Sequence, residues 1–221
     1  MESKDRLLAA MTAAIVEGDR AAAEALAAKA LAESLDLHEV IEKGYIPGIQ
    51  KVGALWESGE YFLPELISSA ECMKAALAVL KPALAAARAE AFLRGKVVIG
   101  TIEGDIHDIG KNLVASMLSA NGFDVLDLGA DVKLARFIEA AEETGADLIC
   151  LSSLLTTTML NQRRLIEMLK ERGLRGRFKV LVGGAPVTRK WAEDIGADGY
   201  GENALAAVKL AVALGPKRRL G

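Results

Sequence analysis

The sequence predicts an α/β protein in two parts, a four-helix bundle followed by a domain with a doubly wound, five-stranded parallel sheet. Three observations carry this prediction. From residue 4 to about residue 93 the apolar positions recur at three and four, as in LLAAMTAAIVEGDRAAAEALAAKALAESL, the period of helices that each bury one face. After FLRGK the texture changes to short β-branched or apolar runs separated by helix-length segments, the pattern of a parallel sheet covered on both faces. A length of 221 residues is also enough for two modest cores.

In the first part four helices fit, over about 4–17, 19–34, 37–57 and 63–92. Gly18 followed by Asp19 reads as a stop and then an N-cap, and Gly44, Pro47, Gly48, Gly53 and Gly59 punctuate the stretch after them. The second part offers strands at KVVIGTI, DVLDLG, DLICLSSL and KVLVGG, a short fifth at ADGYG, and a last helix from Asn203 to about Leu214. The basic turn Arg94-Gly95-Lys96 after an Ala-rich helix marks the boundary, giving domains over 1–93 and 94–221, with GPKRRLG as a solvated tail. Two sheet orders are plausible for five parallel strands, and the flavodoxin-like (Rossmann-like) order 2-1-3-4-5 sets the first and third side by side and opens a ligand-binding crevice at their carboxyl ends. His107, on the loop after strand one, and Ser152, near the end of strand three, then face one crevice.

Hydrophobic residues make up 52% of the chain and aromatics 5%, so the core must be built from Ala, Leu, Val and Ile. A formal charge of −3, with no stretch interleaving aromatics with Lys or Arg, argues against nucleic acid as a partner. The opening MESKDRLLAAMTAAIVEGDR lacks a basic segment followed by an apolar core and cleavage site, and no apolar run reaches the roughly 18 residues of a membrane span. The reading is a cytoplasmic protein with no membrane partner. Cys72 and Cys150 belong to no CxxC pair, which points to two small buried side chains rather than a disulfide or cysteine zinc site. His38 in LDLHEV reads as a solvated helix residue.

The stretch GTIEGDIHDIGKNLV, residues 100–114, places a histidine on an acidic loop between an apolar strand and a helix. A lone loop histidine is commonly a hydrogen-bonded surface residue, but the context here adds to that. Asp105, two residues before His107, can accept the proton of one ring nitrogen and fix the tautomer, leaving the other nitrogen as a ligand or base. Gly110 at the helix start leaves room for a bulky ligand or its phosphate to approach free backbone N–H groups. Acid–base catalysis would draw on Asp108, Glu103 or Ser152, which form no triad spacing, and zinc would need about three or four protein ligands. One protein nitrogen suffices where a cofactor supplies the other ligands, as a tetrapyrrole-type ring does.

DIHDIG matches the D-x-H-x-x-G signature of corrinoid-binding domains. LSSLLTTTM at 151–159 resembles the S-x-L segment of that family, and VGGAPVT at 182–188 resembles its later glycine pair. YIPGIQKVGALWESGEYFLPELISSAECMKAAL, residues 45–77, is similar to the cap bundle that precedes the corrinoid domain in cobalamin-dependent methionine synthase and in the small corrinoid proteins of methanol, methylamine and methoxyarene methyltransferase systems. The resemblance spans nearly the whole chain.

It implies a cobalamin or related corrinoid bound with its own lower base displaced, its nucleotide tail buried beside the sheet and His107 as the metal ligand below cobalt. It implies, too, that Asp105 is the partner of His107 and that Ser152 completes a hydrogen-bonded relay. Gly104, Asp108, Ile109, Leu154 and Thr156 belong to the cofactor surroundings, and Gly110, Gly183 and Gly184 make room for the tail and its phosphate. Glu202 and Asn203 are further candidates to touch the nucleotide. Four-coordinate Co(I) has no use for a lower ligand and methyl-Co(III) does, so the His–Asp pair can couple proton uptake to methyl transfer. Phe62, Leu63 and Leu66, with Trp56 and Met73 behind them, are expected either to shield the upper face from water and oxidants or to be bundle core. The bundle would swing aside on a hinge at 88–96. Thr156, Thr157 and Thr158 either line the tail pocket or cap the following helix.

The function implied is that of a methyl carrier, moving a methyl group from a small donor to tetrahydrofolate or coenzyme M. Its partners would be a substrate:corrinoid methyltransferase, a methylcorrinoid:acceptor methyltransferase and a reductive activase, with the chain as carrier rather than stand-alone catalyst. Alternatives using the same module are a light-responsive regulator, which normally adds a DNA-reading domain with a basic helix, and the small subunit of a cobalamin-dependent isomerase, which has little need of the bundle. A non-corrinoid module of flavodoxin type also remains.

Overall fold

The structure, a computed structural model, describes residues 2–86 and 94–216. The chain divides into two compact units, with the break in sequence after Phe92.

The first unit begins with α1 (Glu2–Glu17) and α2 (Arg20–Ala32). Gly18, in the left-handed region at φ 70°, ends α1, and the Asp19 carboxylate accepts the Ala22 N–H at 2.9 Å to cap α2, as the Gly–Asp pair predicts. Ala23, Ala27 and Ala30 form a buried face of small side chains on α2, which packs against α5 (Leu63–Ala86). The predicted third helix, 37–57, is instead three consecutive pieces: α3 (Leu37–Glu39), a π-helical segment over Val40–Tyr45, and α4 (Ile46–Glu57). Pro47 is the cause. It has no N–H to bond the carbonyl four residues back, and just before it the Ile46 N–H reaches five back, to the Ile41 carbonyl. The widened turn is tied to its neighbours, for Thr12 Oγ1 donates to the Gly44 carbonyl at 2.7 Å and the Tyr45 hydroxyl to the Ala23 carbonyl at 2.8 Å. The last part of the predicted 63–92 helix, and most of the 88–96 hinge, lie outside the described residues.

The second unit alternates β1 (Lys96–Thr101), α6 (Ile109–Ala120), β2 (Asp124–Asp127), α7 (Leu134–Thr144), β3 (Leu148–Ser152) and α8 (Thr156–Glu171). It continues through β4 (Lys179–Gly183), α9 (Arg189–Ile195), β5 (Gly199–Gly201) and α10 (Ala204–Leu214). The strands pair in parallel in the order β2-β1-β3-β4-β5, as expected.

Successive side chains of a strand point to opposite faces, so each strand serves two surfaces. On one, Val98, Ile149, Leu151, Val180 and Val182 bury against Phe137 and Ile138 of α7, Leu165, Ile166 and Leu169 of α8, and Ile195 of α9. Each such side chain contributes about 1.5–3 kcal/mol on burial. On the other, Ile99, Cys150 and Leu181 stand in one register row, and Thr101, Ser152 and Gly183 in the row nearer the carboxyl ends. α6 and α10 flank that second face and leave part of it uncovered.

Candidate functional site

The loop carrying His107 leaves the carboxyl end of β1, and its centre is a buried carboxylate. Asp105 has no exposed side-chain surface. Its Oδ1 accepts the His107 backbone N–H at 3.0 Å and lies 2.7 Å from His107 Nδ1. Its Oδ2 accepts the N–H groups of Leu154 at 2.6 Å and Leu155 at 3.2 Å, and the Thr158 hydroxyl at 3.0 Å. Burial by itself opposes ionisation of Asp105. The donors from His107, Leu154 and Thr158 outweigh it and hold the carboxyl well below the usual carboxylate range. An ionised Oδ1 can only accept, so the proton sits on Nδ1 and the Nε2 lone pair is left free for a ligand role. The ring is half exposed, at 49%.

The loop is anchored on several sides. Thr101 Oγ1 donates to the His107 carbonyl at 2.9 Å. Gly104, at φ 85°, gives its N–H to Asp131 Oδ1 at 2.8 Å, while the Asp131 N–H returns to the Asp105 carbonyl at 2.9 Å. Asn161 on α8 donates to the Glu103 carbonyl at 2.9 Å. The imidazole is therefore presented by a frame drawn from β1, the loop after β2 and the start of α8. None of Thr101, Asp131 and Asn161 stands out in sequence, because each acts through a contact made only once the sheet has formed.

The relay beyond Asp105 differs from expectation by one residue. Ser152 does not touch Asp105. Ser153 and Thr158 do that work, with Ser153 Oγ 2.8 Å from Thr158 Oγ1. Neighbouring strand residues face opposite ways, so Ser152 goes to the crevice side instead. Thr158 is thus turned to Asp105 and does not line the crevice on the other side of the sheet, nor does it cap α8, whose N-cap position is Leu155, and Thr156 only begins the helix. Leu154 serves through its backbone N–H, with its side chain exposed. Asp108 turns to its own helix and accepts from Asn112 Nδ2 at 3.0 Å. Ile109, 87% exposed, and Ile106, 75% exposed, give the loop an apolar outer surface.

Beside the loop, between α6 and the β5–α10 turn, runs a crevice of about 340 Å³ lined by Gly110, Ser152, Gly183, Gly184, Glu202 and Asn203, with Ile99, Cys150 and Leu181 beneath. Its floor depends on glycine. A Cβ on Gly184, at φ 121°, would stand 1.7 Å from the Ser153 carbonyl oxygen, and one on Gly183 would stand 3.0 Å from the Gly201 carbonyl oxygen. Cys150 is buried, as is Cys72 in the first unit, as the sequence predicts.

In the first unit Phe62, Leu63 and Ile67 are exposed at the start of α5. Leu66 and Met73 are not available to cover a ligand: at 2% and 0% exposure they are core of the bundle, on the face that α5 turns inward.

Among the described residues no three His, Cys, Asp or Glu side chains are grouped to hold a metal ion. A single carboxylate-oriented imidazole at the mouth of a glycine-floored crevice suits a metal whose other ligands come with a large organic ring. Fold and site together thus define a corrinoid-binding protein, and the comparisons with known proteins agree. Residues 95–209 match a B12 binding domain family and residues 7–81 a second family of the same description. The chain is 50% identical over 206 residues, 93% of it and 95% of the relative, to a corrinoid protein of Desulfitobacterium hafniense. It is 50% identical over 208 residues, 94% of it and 96% of the relative, to a trimethylamine corrinoid protein of Methanosarcina acetivorans. Among solved structures, the methanol:cobalamin methyltransferase complex of Methanosarcina barkeri superposes with a TM-score of 0.81 at 31% identity, over 95% of this chain and 80% of that one. A cobalamin-binding protein of D. hafniense superposes with a TM-score of 0.77 at 35% identity, over 95% and 98%. This chain belongs to the B12-binding family of corrinoid proteins, and its cofactor is cobalamin or a related corrinoid.

Proposed function

We propose that this chain is a methyl carrier. It takes a methyl group from a small donor on one methyltransferase and delivers it on another, to tetrahydrofolate or to a thiol such as coenzyme M. The observation that carries the proposal is the Asp105–His107 pair, 2.7 Å apart, with one ring nitrogen held and the other free on a half-exposed ring. The bound corrinoid supplies a cobalt centre able to accept and release a methyl group. His107 would hold that metal through Nε2. Asp105 would keep the Nδ1 proton in place and stabilise positive charge on the ring, so that the pair could hold or release a proton at Nδ1. Gly110, Gly183, Gly184 and Ser152 line the space for the nucleotide tail.

The small-molecule donor site belongs to a partner. The relatives support this assignment, since one bears the name of trimethylamine and a similar solved structure is a methanol:cobalamin methyltransferase complex. A methylated amine or methanol is therefore the donor class. A reductive activase is a third partner, needed to restore cobalt that has been oxidised. The described helices include none long and apolar enough to cross a membrane, and we place the protein in the cytoplasm with its partners.

The test is an absorbance spectrum of the corrinoid-loaded chain beside His107→Ala. The expected outcome is a corrinoid retained by both chains and a spectral shift present only with His107. Identical spectra remove the ligand role, and failure of folded wild-type chain to retain any corrinoid overturns the proposal.

A further inference from the structure

We infer that the deep row of the crevice selects which corrinoid is carried, favouring a tail that ends in an apolar aromatic base over one whose base bears amino and ring-nitrogen hydrogen-bonding groups. This rests on the corrinoid reading above and goes further, to the choice among corrinoids.

The crevice floor has two steps. Near the carboxyl ends stand Ser152, Gly183 and Gly201, neighbours in register across β3, β4 and β5. Two residues deeper, roughly 7 Å along the strands, the same register gives Ile99, Cys150 and Leu181, all buried. Small residues in the first step leave space, and bulky ones in the second end it. The second row continues to Gly199, but that position is filled: a Cβ there would meet Leu181 at 2.9 Å and Leu210 at 3.2 Å. Leu113 and Val114 of α6 and Ala204 and Ala207 of α10 make the walls. His107 lies beyond the carboxyl end of β1, so a tail running from the metal site passes the first step and terminates at the second.

The polar side chains of the crevice do not serve that end. Lys111 is held by both oxygens of Asp127, at 2.6 and 2.5 Å, and by Asn112 Oδ1 at 2.5 Å. Asn203 Oδ1 is committed to the Ala206 N–H at 2.9 Å. Tyr200 packs into the core on the opposite face of the sheet, Glu202 is exposed, and Ser152 sits on the upper step. At the deep row only Cys150 carries a polar atom. Burial pushes its thiol up to about 12, so it stays neutral and is a weak donor. A base with an exocyclic amino group and an extra ring nitrogen would leave its water partners and find no replacements there. A benzimidazole-type base has a single free ring nitrogen, which the Cys150 thiol can meet as a weak donor, and so loses far less.

The experiment titrates the full chain, freed of corrinoid, with cobalamin, with the adenine-tailed cobamide and with tail-less cobinamide, reading affinity by calorimetry and metal ligation by absorbance. The expected order is cobalamin tightest, with the adenine-tailed form weaker by roughly ten- to hundredfold, the cost of unpaired buried polar groups. Cys150→Ser, nearly isosteric, places a hydroxyl at the deep row and is expected to narrow that gap. Equal affinity for the two tails, with a spectrum that still depends on His107, overturns the selection and leaves the corrinoid reading standing. Cobinamide held as tightly as cobalamin also overturns it, because the crevice then makes no use of a tail. No retention of any of the three overturns the corrinoid reading itself.

Discussion

The loop that carries His107 and the first turns of α5 are built by opposite means. Around Asp105 every position is set by directional bonds: five donor atoms converge on two oxygens, and each comes from a particular residue at a particular register. At the start of α5, where one bond from the Phe62 N–H to Glu65 Oε2 at 2.9 Å caps the helix, burial follows helical spacing, which turns Leu66, Ala70 and Met73 inward and leaves Phe62, Leu63 and Ile67 outside. A hydrogen-bonded frame tolerates few substitutions anywhere in it. An apolar helix face divides sharply into residues that stabilise the fold and residues free to do something else.

Mutations can break this contrast, and the two tryptophans help to read them, since Trp56 lies in the first unit and Trp191 in the second. The largest effect is expected from Asp105→Ala, which strands the Leu154 and Leu155 N–H groups and the Thr158 hydroxyl and should cost about 3–5 kcal/mol in urea unfolding followed at Trp191. A loss below about 1 kcal/mol would mean that water replaces the carboxylate easily, and that the loop is not the rigid frame described above. Leu66→Ala comes next, at about 2–5 kcal/mol seen at Trp56, because it opens a cavity in the bundle. Thr158→Val should cost about 1–2 kcal/mol and alter the His107-dependent spectrum, whereas Ser152→Ala should leave that spectrum unchanged. Matching effects from the two would restore Ser152 to the relay. The smallest change belongs to Phe62→Ala, within about 0.5 kcal/mol of wild type, and a larger loss would show that this exposed ring is held by contacts the bundle needs.

Strand positions and the His107 loop were legible because each follows from a periodicity or a local motif, whereas the sheet order was one of two that alternating strands and helices allow. The α1–α2 turn was legible for the same reason, with Gly18 and Asp19 adjacent in sequence. The unread features depend on what a residue meets across the fold. Ser152, the last residue of β3, and Ser153, just beyond it, differ in which side of the sheet they face, and a one-residue shift inverts that choice. Thr158 looks like one of three helix-start threonines until Asp105 is set beneath it. The π-helical segment hides inside a run whose apolar spacing is still helical, so Pro47 marks the disturbance without giving its form.

The anchors of the His107 loop also order events in time. Gly104 bonds a residue 27 positions later in the chain, Asp105 a residue 49 positions later, and the Glu103 carbonyl one 58 positions later. During synthesis the imidazole therefore emerges well before the groups that hold it, and it is a loose side chain until Asn161 has left the ribosome. A chain interrupted anywhere before α8 would carry the whole signature without the frame that holds its imidazole. On the proposed function, capture of the corrinoid is expected only after the chain through α8 has folded around the loop.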